Sequence, residues 1–185
     1  MSMKSVIESI FKKKTDPKER TAENIDIKKP VSFNQAFFLY NVYQWMQEKP
    51  QAANDKREIN SLIAINYFRW KKKLHFPDRS FDDFKDMDGL PMSDYVDDLF
   101  EIKKIEGLIS ELDLSYILTD NGKRVVEIIK RGNYYEYDFF DQSIRLFNQG
   151  LIDFIEANIG DLKTYSDNSL ISTALQLIHM KSATR

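Results

Sequence analysis

The sequence predicts a mainly α, compact domain of six to eight helices. Glycine and proline are scarce, at 6 and 5 of 185 residues, whereas the many tight turns of a sandwich or barrel require both. Apolar side chains recur at helical spacing along most of the chain. Hydrophobic residues make up 42% and charged residues 30%, which is typical of a globular protein and excludes a low-complexity chain.

The first 30 residues are predicted to form an amphipathic helix and a charged linker. Residues 4–14 place four large apolar side chains on one side of a helix and end in three lysines. Such a helix either binds a membrane surface or a partner, or is an ordinary helix that packs on the body of the protein or frays, and both interpretations stay open. Residues 15–30 are charged, so we expect a linker there and a single helical domain over 31–185.

Two buried helices are predicted next. The segment FNQAFFLYNVYQWMQEK is apolar on most faces, as buried helices are, and Pro50 follows its end. Asp55 is the predicted N-cap of the second helix, with Glu58 three residues later as in a capping box. Lysines 71–73 close that helix, where cations complement the helix dipole.

The middle of the chain is predicted to be less regular. Residues 74–91 form an irregular acidic stretch, after which Ser93 caps a helix whose apolar period continues towards Asp113. At most one small β-hairpin, a winged-helix-like element, is expected near residues 108–119. Thr119 then caps a helix that ends in the C-terminal signal Lys-Arg-Gly.

The remainder is predicted to hold two or three helices. The first contains apolar residues between 139 and 147. The second covers 151–159 and is ended by Gly160. The last is capped at Ser166 or Asp167 and carries apolar side chains at helical spacing up to Ile178.

Charge and composition restrict the classes of function. The formal net charge is −2 and the pI is near 5.8, whereas a nucleic-acid-binding protein usually has a basic excess. The chain has no cysteine, which excludes disulfides, thiolate metal sites and cysteine nucleophiles and suits a reducing cytoplasm. No apolar run reaches the roughly 20 residues of a membrane span, so we expect a cytoplasmic protein.

Motifs for metal binding and catalysis are incomplete. The sequence DMDG resembles the centre of a calcium loop, but Phe84 and Tyr95 occupy the positions that need carboxylates. Neither His75 nor His179 has a second histidine at ligand spacing. Phosphate-binding and nucleophile motifs are missing, and adjacent carboxylates such as Asp97 and Asp98 do not face each other on a helix. We therefore expect no cofactor and no metal, and a non-enzymatic protein; a hydrolase without a recognisable motif is a third hypothesis.

A stretch of the chain resembles a known family. The sequence FDDFKDMDGLPMSDYVDDL is followed by the helical segment LTDNGKRVVEIIK. Over about residues 32–132 this order resembles the Panacea domain, the antitoxin-like domain of SocA-type proteins, although Leu90 separates Gly89 from Pro91. The resemblance implies a non-enzymatic protein of bacterial, phage or mobile-element origin that binds a partner protein, typically a toxin.

The leading hypothesis is therefore a protein-interaction module. An apolar anchor ringed by aspartates is a suitable interface, and its candidate residues are Phe76, Phe81, Phe84, Gly89, Pro91 and Tyr95. The opposing interpretation is that these phenylalanines pack the loop onto the core. The alternative function is a winged-helix-like DNA-binding regulator, whose candidate residues are Lys103, Lys104, Lys123, Arg124, Lys130 and Arg131.

Overall fold

The computed structural model describes residues 33–49, 55–73, 79–112, 115–130 and 143–182. In these ranges the chain forms six α-helices, one 3-10 turn and four short strands, and 76% of the residues are helical. The predicted mainly α class is confirmed. The predicted helix at 4–14 and linker at 15–30 lie outside the described residues, as do Phe76 and Arg131.

The elements follow one another in this order: α1 (Phe33–Glu48), α2 (Lys56–Lys73), the 3-10 turn (Ser80–Asp83), β1 (Lys85–Met87), β2 (Leu90–Met92), α3 (Asp94–Ile105), β3 (Ile109–Leu112), β4 (Ser115–Leu118), α4 (Asp120–Lys130), α5 (Ser143–Leu162) and α6 (Asp167–Ser182).

Helices α1 and α2 form the centre of the core. Helix α1 contacts α2, α3, α4 and α5, while α2 makes its most extensive contact with α6. This central position explains why α1 is apolar on most faces: Phe37, Phe38 and Leu39 are consecutive and fully buried. Each such side chain contributes roughly 1.5–3 kcal/mol through burial.

Three predicted N-caps are confirmed. Ser93 Oγ accepts from the Val96 amide at 3.0 Å, and Thr119 Oγ1 accepts from the Gly122 amide at 3.1 Å. Asp55 Oδ1 likewise accepts from the Arg57 amide at 2.8 Å.

The capping box proposed at the start of α2 is wrong. The carboxylate of Glu58 does not return to Asp55 but accepts a hydrogen bond from Trp45 Nε1 at 3.1 Å. Glu58 is only 6% exposed. Its side chain therefore links α2 to α1 inside the core instead of closing the helix end.

The described residues form two hairpins, whereas we expected at most one. Strands β3 and β4 pair with Ile109 opposite Leu118, which confirms the hairpin expected near 108–119. Strands β1 and β2 form a second hairpin inside the predicted irregular stretch, with Met87 opposite Leu90. Its two turn residues, Asp88 and Gly89, have φ of 54° and 80°. Asp-Gly is the residue pair that favours such a two-residue turn.

Two predicted helix ends are also corrected. Helix α3 stops at Ile105, before the end of the apolar period, because Gly107 adopts φ of 70°. The Gly107 and Leu108 amides donate to Lys104 O and Lys103 O, which is a Schellman termination. Helix α5 passes through Gly150 and Gly160 to Leu162, so Gly160 does not end it.

Candidate functional site

The two described loop phenylalanines lie in the core. Phe81 is 0% exposed, and its ring centroid lies 5.3 Å from that of Phe37 and 5.1 Å from that of Tyr95. Phe84 is 4% exposed and packs edge-on against Phe68. The interpretation that these rings pack the loop onto the core is therefore what the structure shows. They do not form the exposed anchor that the partner-binding hypothesis requires.

The other candidate partner-binding residues are exposed to different extents. Pro91 is buried in β2, and Tyr95 is half-buried with its hydroxyl accepting from Asn34 Nδ2 at 3.0 Å. Gly89 is exposed at the tip of the β1–β2 hairpin. Of the described candidates, Gly89 is thus the most accessible to a partner.

Asp82 and Asp83 connect the loop to helices α2 and α3 through hydrogen bonds. Asp82 Oδ1 accepts from Tyr67 Oη at 2.8 Å and from Lys71 Nζ at 2.6 Å. Burial opposes ionisation of Asp82, but these hydrogen bonds outweigh it and lower its pKa. Asp83 accepts from Ser93 Oγ at 2.5 Å and from the Tyr95 amide at 2.8 Å. Both carboxylates are therefore engaged in holding the turn against α2 and α3.

The exposed part of the loop meets the end of α6. Met87 is 48% exposed and Met180 is 57% exposed. Their neighbours in sequence touch, since His179 Nε2 lies 2.8 Å from Asp86 Oδ2. We call this region the hairpin surface, and its residues are Asp86, Met87, Asp88, Gly89, His179 and Met180.

The hairpin surface rests on anchored elements. Lys85 Nζ reaches Asp94 Oδ2 at 2.9 Å and ties β1 to the first turn of α3. Lys181 Nζ donates to the backbone carbonyl of Asp82 and ties α6 to the 3-10 turn. Because both flanks are fastened to the core, the methionines are presented from a defined backbone.

The basic residues proposed for DNA binding are largely paired. Lys103 is only 1% exposed and its Nζ lies 2.6 Å from Glu106 Oε2. Its proposed role in DNA binding is therefore wrong, because a buried ammonium cannot contact a phosphate. Lys104 lies between Glu101 and Glu111, at 3.1 and 2.7 Å.

The basic residues of α4 have acidic neighbours too. Lys123 lies 3.3 Å from Asp120, and Lys130 lies 4.0 Å from Glu127. Arg124 is exposed. Pairing within the same helix reduces the positive potential that duplex binding requires.

The buried carboxyl group of Glu58 has a raised pKa. Burial, followed by a hydrogen bond with Asp167, raises the pKa of Glu58 to about 7. Lys49 lies 3.7 Å from Asp167 and 4.5 Å from the centroid of the Trp45 ring. The Glu58 carboxyl group lies where α1, α2 and α6 meet.

A second acidic contact borders an apolar pocket. The Tyr40 hydroxyl donates to Glu156 Oε1, and Gln44 Nε2 donates to Tyr40 Oη at 2.8 Å. Burial and the hydrogen bond to Glu156 raise the Tyr40 pKa and thus favour the neutral phenol. The rest of the pocket lining is apolar and includes Ile129, Leu151 and Ile155.

The described residues offer neither a cluster of metal ligands nor a membrane-spanning helix. Among them, no three His, Asp or Glu side chains are grouped so as to hold a metal ion. Within the same part of the chain, every helix is too short or too polar to cross a membrane. A scan against family models and searches of curated proteins and solved structures found no match. The resemblance to the Panacea domain stays a hypothesis.

Sequence reasoning missed the methionines of the hairpin surface. Met87 and Met180 are far apart in the chain, and the elements that carry them come together only because α6 packs on β1. The Asp-Gly pair at 88–89 was the one local signal, since it predicts a hairpin whose tip projects into solvent.

Proposed function

We propose that this chain is a non-enzymatic protein-interaction module that binds its partner through the hairpin surface. The observation that supports this proposal is the pair of exposed methionines, Met87 and Met180, beside carboxylates on anchored elements. Methionine is flexible and polarisable, so it adapts to irregular partner surfaces. An apolar centre with a charged rim is the usual composition of a protein interface.

The charges of the hairpin surface indicate the kind of partner. Asp86 and Asp88 flank Met87, and Asp94 is 81% exposed nearby. A partner with an apolar patch bordered by lysine or arginine would match this arrangement. Such complementarity accelerates association and discriminates against acidic partners.

The resemblance of residues 32–132 to the Panacea domain extends this proposal. In that extension the partner is a toxin, and the chain neutralises it by binding, as an antitoxin of bacterial, phage or mobile-element origin does. The extension requires no catalytic group, only a surface that remains bound to the toxin.

Affinity purification with matched variants tests the interaction. The tagged full chain is compared with Met87→Arg/Met180→Arg and with the control Ile117→Arg, which alters an exposed isoleucine of β4. We expect the double variant to bind the recovered partner at least tenfold more weakly, which is about 1.4 kcal/mol, while the control binds normally. Normal binding by the folded double variant, or equal loss in the control, would refute the hairpin surface.

Co-expression tests the antitoxin extension separately. We expect the recovered partner to inhibit growth when expressed alone, and the wild-type chain but not the double variant to restore growth. A partner that binds the hairpin surface without any effect on growth would refute the extension and leave the interaction module standing.

A further inference from the structure

Two exposed isoleucines mark the outer side of α3. Ile105 is 85% exposed and Ile102 is 40% exposed. Because they are three residues apart, they share one side of the helix. Asp98 and Glu101 each lie four residues before one of them and are exposed. We call these four residues the α3 stripe.

The surroundings of the α3 stripe carry negative charge. Lys104 is one ammonium between two carboxylates, those of Glu101 and Glu111. Lys103 is buried against Glu106, and Asp98 adds a further negative charge. A second copy that placed the same stripe against itself would bring these carboxylates together, which is unfavourable. The stripe is instead complementary to a segment that is both apolar and basic.

We propose that residues 4–14 of this chain occupy the α3 stripe. This segment, which is outside the described part of the chain, contains Val6, Ile7, Ile10 and Phe11 and then three lysines at 12–14. Along α3 the carboxylates come first and the isoleucines follow. An antiparallel arrangement therefore places apolar side chains on Ile102 and Ile105 and the lysines beside Asp98 and Glu101.

The chain connectivity favours this arrangement. Helix α1 begins at Phe33, and Asn34 Nδ2 donates to the Tyr95 hydroxyl at 3.0 Å, in the first turn of α3. Phe33, the first described residue, therefore lies near the same end of α3 that the lysines would reach. A random coil as long as the segment 15–32 has an end-to-end distance of roughly 20–25 Å, which exceeds the length of about 18 Å of the 12-residue helix α3.

Engineered disulfides in the full chain test the site and its direction. The sequence has no cysteine, so each introduced pair reacts without competition. We expect Ser5→Cys/Ile105→Cys to form an intramolecular disulfide at least fivefold faster than Ser5→Cys/Asp94→Cys. The control Ser5→Cys/Ile117→Cys, at another exposed isoleucine, is expected to be as slow as the Asp94 pair.

Charge reversal in the same assay tests the recognition. Changing lysines 12–14 to glutamate should slow the Ile105 disulfide at least fivefold, and adding Asp98→Lys/Glu101→Lys should restore it. Circular dichroism confirms that each variant is folded. The proposal would be overturned by equal disulfide rates in all pairs, by a faster Asp94 pair or by a disulfide-linked dimer. It would also be overturned by a slow Ile105 pair together with sedimentation of the chain on anionic phospholipid vesicles.

Discussion

The indole of Trp45 donates a hydrogen bond of 3.1 Å to the carboxyl group of Glu58, within the contact between α1 and α2. Four groups lie near this carboxyl group. They are Trp45 of α1, Lys49 just after the end of α1, Arg57 of α2, and Asp167 at the first position of α6. Ionisation of this buried carboxyl group would therefore place a negative charge beside Asp167, where α1, α2 and α6 meet.

Stability should fall as the pH rises from about 4.5 to about 7. Burial and the Asp167 hydrogen bond raise the Glu58 pKa from 4.5 to about 7, so the folded state holds a proton that the unfolded chain releases. The stabilisation is complete below the lower pKa and is lost as the pH rises through the higher one. Asp167 is 65% exposed, and water screening limits the total to about 2 kcal/mol.

Glu58→Gln should remove this dependence, because an amide cannot ionise. We expect the variant to be more stable than the wild type at pH 8 and of similar stability at pH 5, as measured by urea unfolding. Asp161→Asn, which alters an exposed carboxylate, is the control and should keep the wild-type slope. Parallel profiles for Glu58→Gln and the wild type would contradict the assignment.

Gly122→Ala should destabilise the protein although alanine favours helices. A Cβ at this position would lie 2.1 Å from Leu108 O and 2.9 Å from Leu118 Cδ2, so the β3–β4 hairpin and α4 would have to separate. Overpacking of this kind costs about 1–3 kcal/mol. Thermal unfolding of the variant measures the loss.

Gly160→Ala is the matched control for this substitution. A Cβ there would meet nothing within 4 Å, so only the helix propensity changes, which favours alanine by about 1 kcal/mol. The two variants should therefore shift the melting temperature in opposite directions. Shifts of the same sign would show that the close approach of α4 to Leu108 is misplaced.

Local signals explain what the sequence could predict. The caps at Ser93 and Thr119 act over three residues, and the structure shows both as expected. The Asp-Gly turn and the stop at Gly107 are equally local. They were missed because the acidic composition around 88–89 indicated a loop, and because the apolar period continued past Gly107.

The partners of the candidate residues could not be predicted in the same way. The Glu58 carboxylate accepts a hydrogen bond from Trp45 and does not cap the start of its own helix, and this choice of partner depends on how α1 lies against α2. The burial of Phe81 depends on Phe37 and Tyr95, which belong to two other helices. Such contacts depend on tertiary packing, which hydrophobic periodicity alone does not determine.

Duplex DNA should not be retarded by this protein at low salt. The net charge is −2, and four of the proposed basic residues lie within 4.0 Å of a carboxylate oxygen. In a mobility-shift assay the wild type and Lys123→Ala/Arg124→Ala should therefore behave alike. A salt-dependent shift that the double variant weakens would favour the winged-helix alternative.

Lys103 and Glu106 should respond differently to substitution. Lys103→Met keeps the buried stem and removes the charge, and the Glu106 carboxylate that it leaves is 39% exposed and stays hydrated, so we expect a stability change below about 1 kcal/mol. Glu106→Gln leaves the Lys103 ammonium, 1% exposed, without its carboxylate. We expect Glu106→Gln to destabilise the protein more, by about 1–2 kcal/mol. The loss stays this small because the Glu106 side chain is 39% exposed and water partly replaces its carboxylate. Urea unfolding compares the two, and the double variant should recover most of the loss. A larger loss for Lys103→Met than for Glu106→Gln would show that the ammonium itself, and not the burial of its stem, stabilises the end of α3.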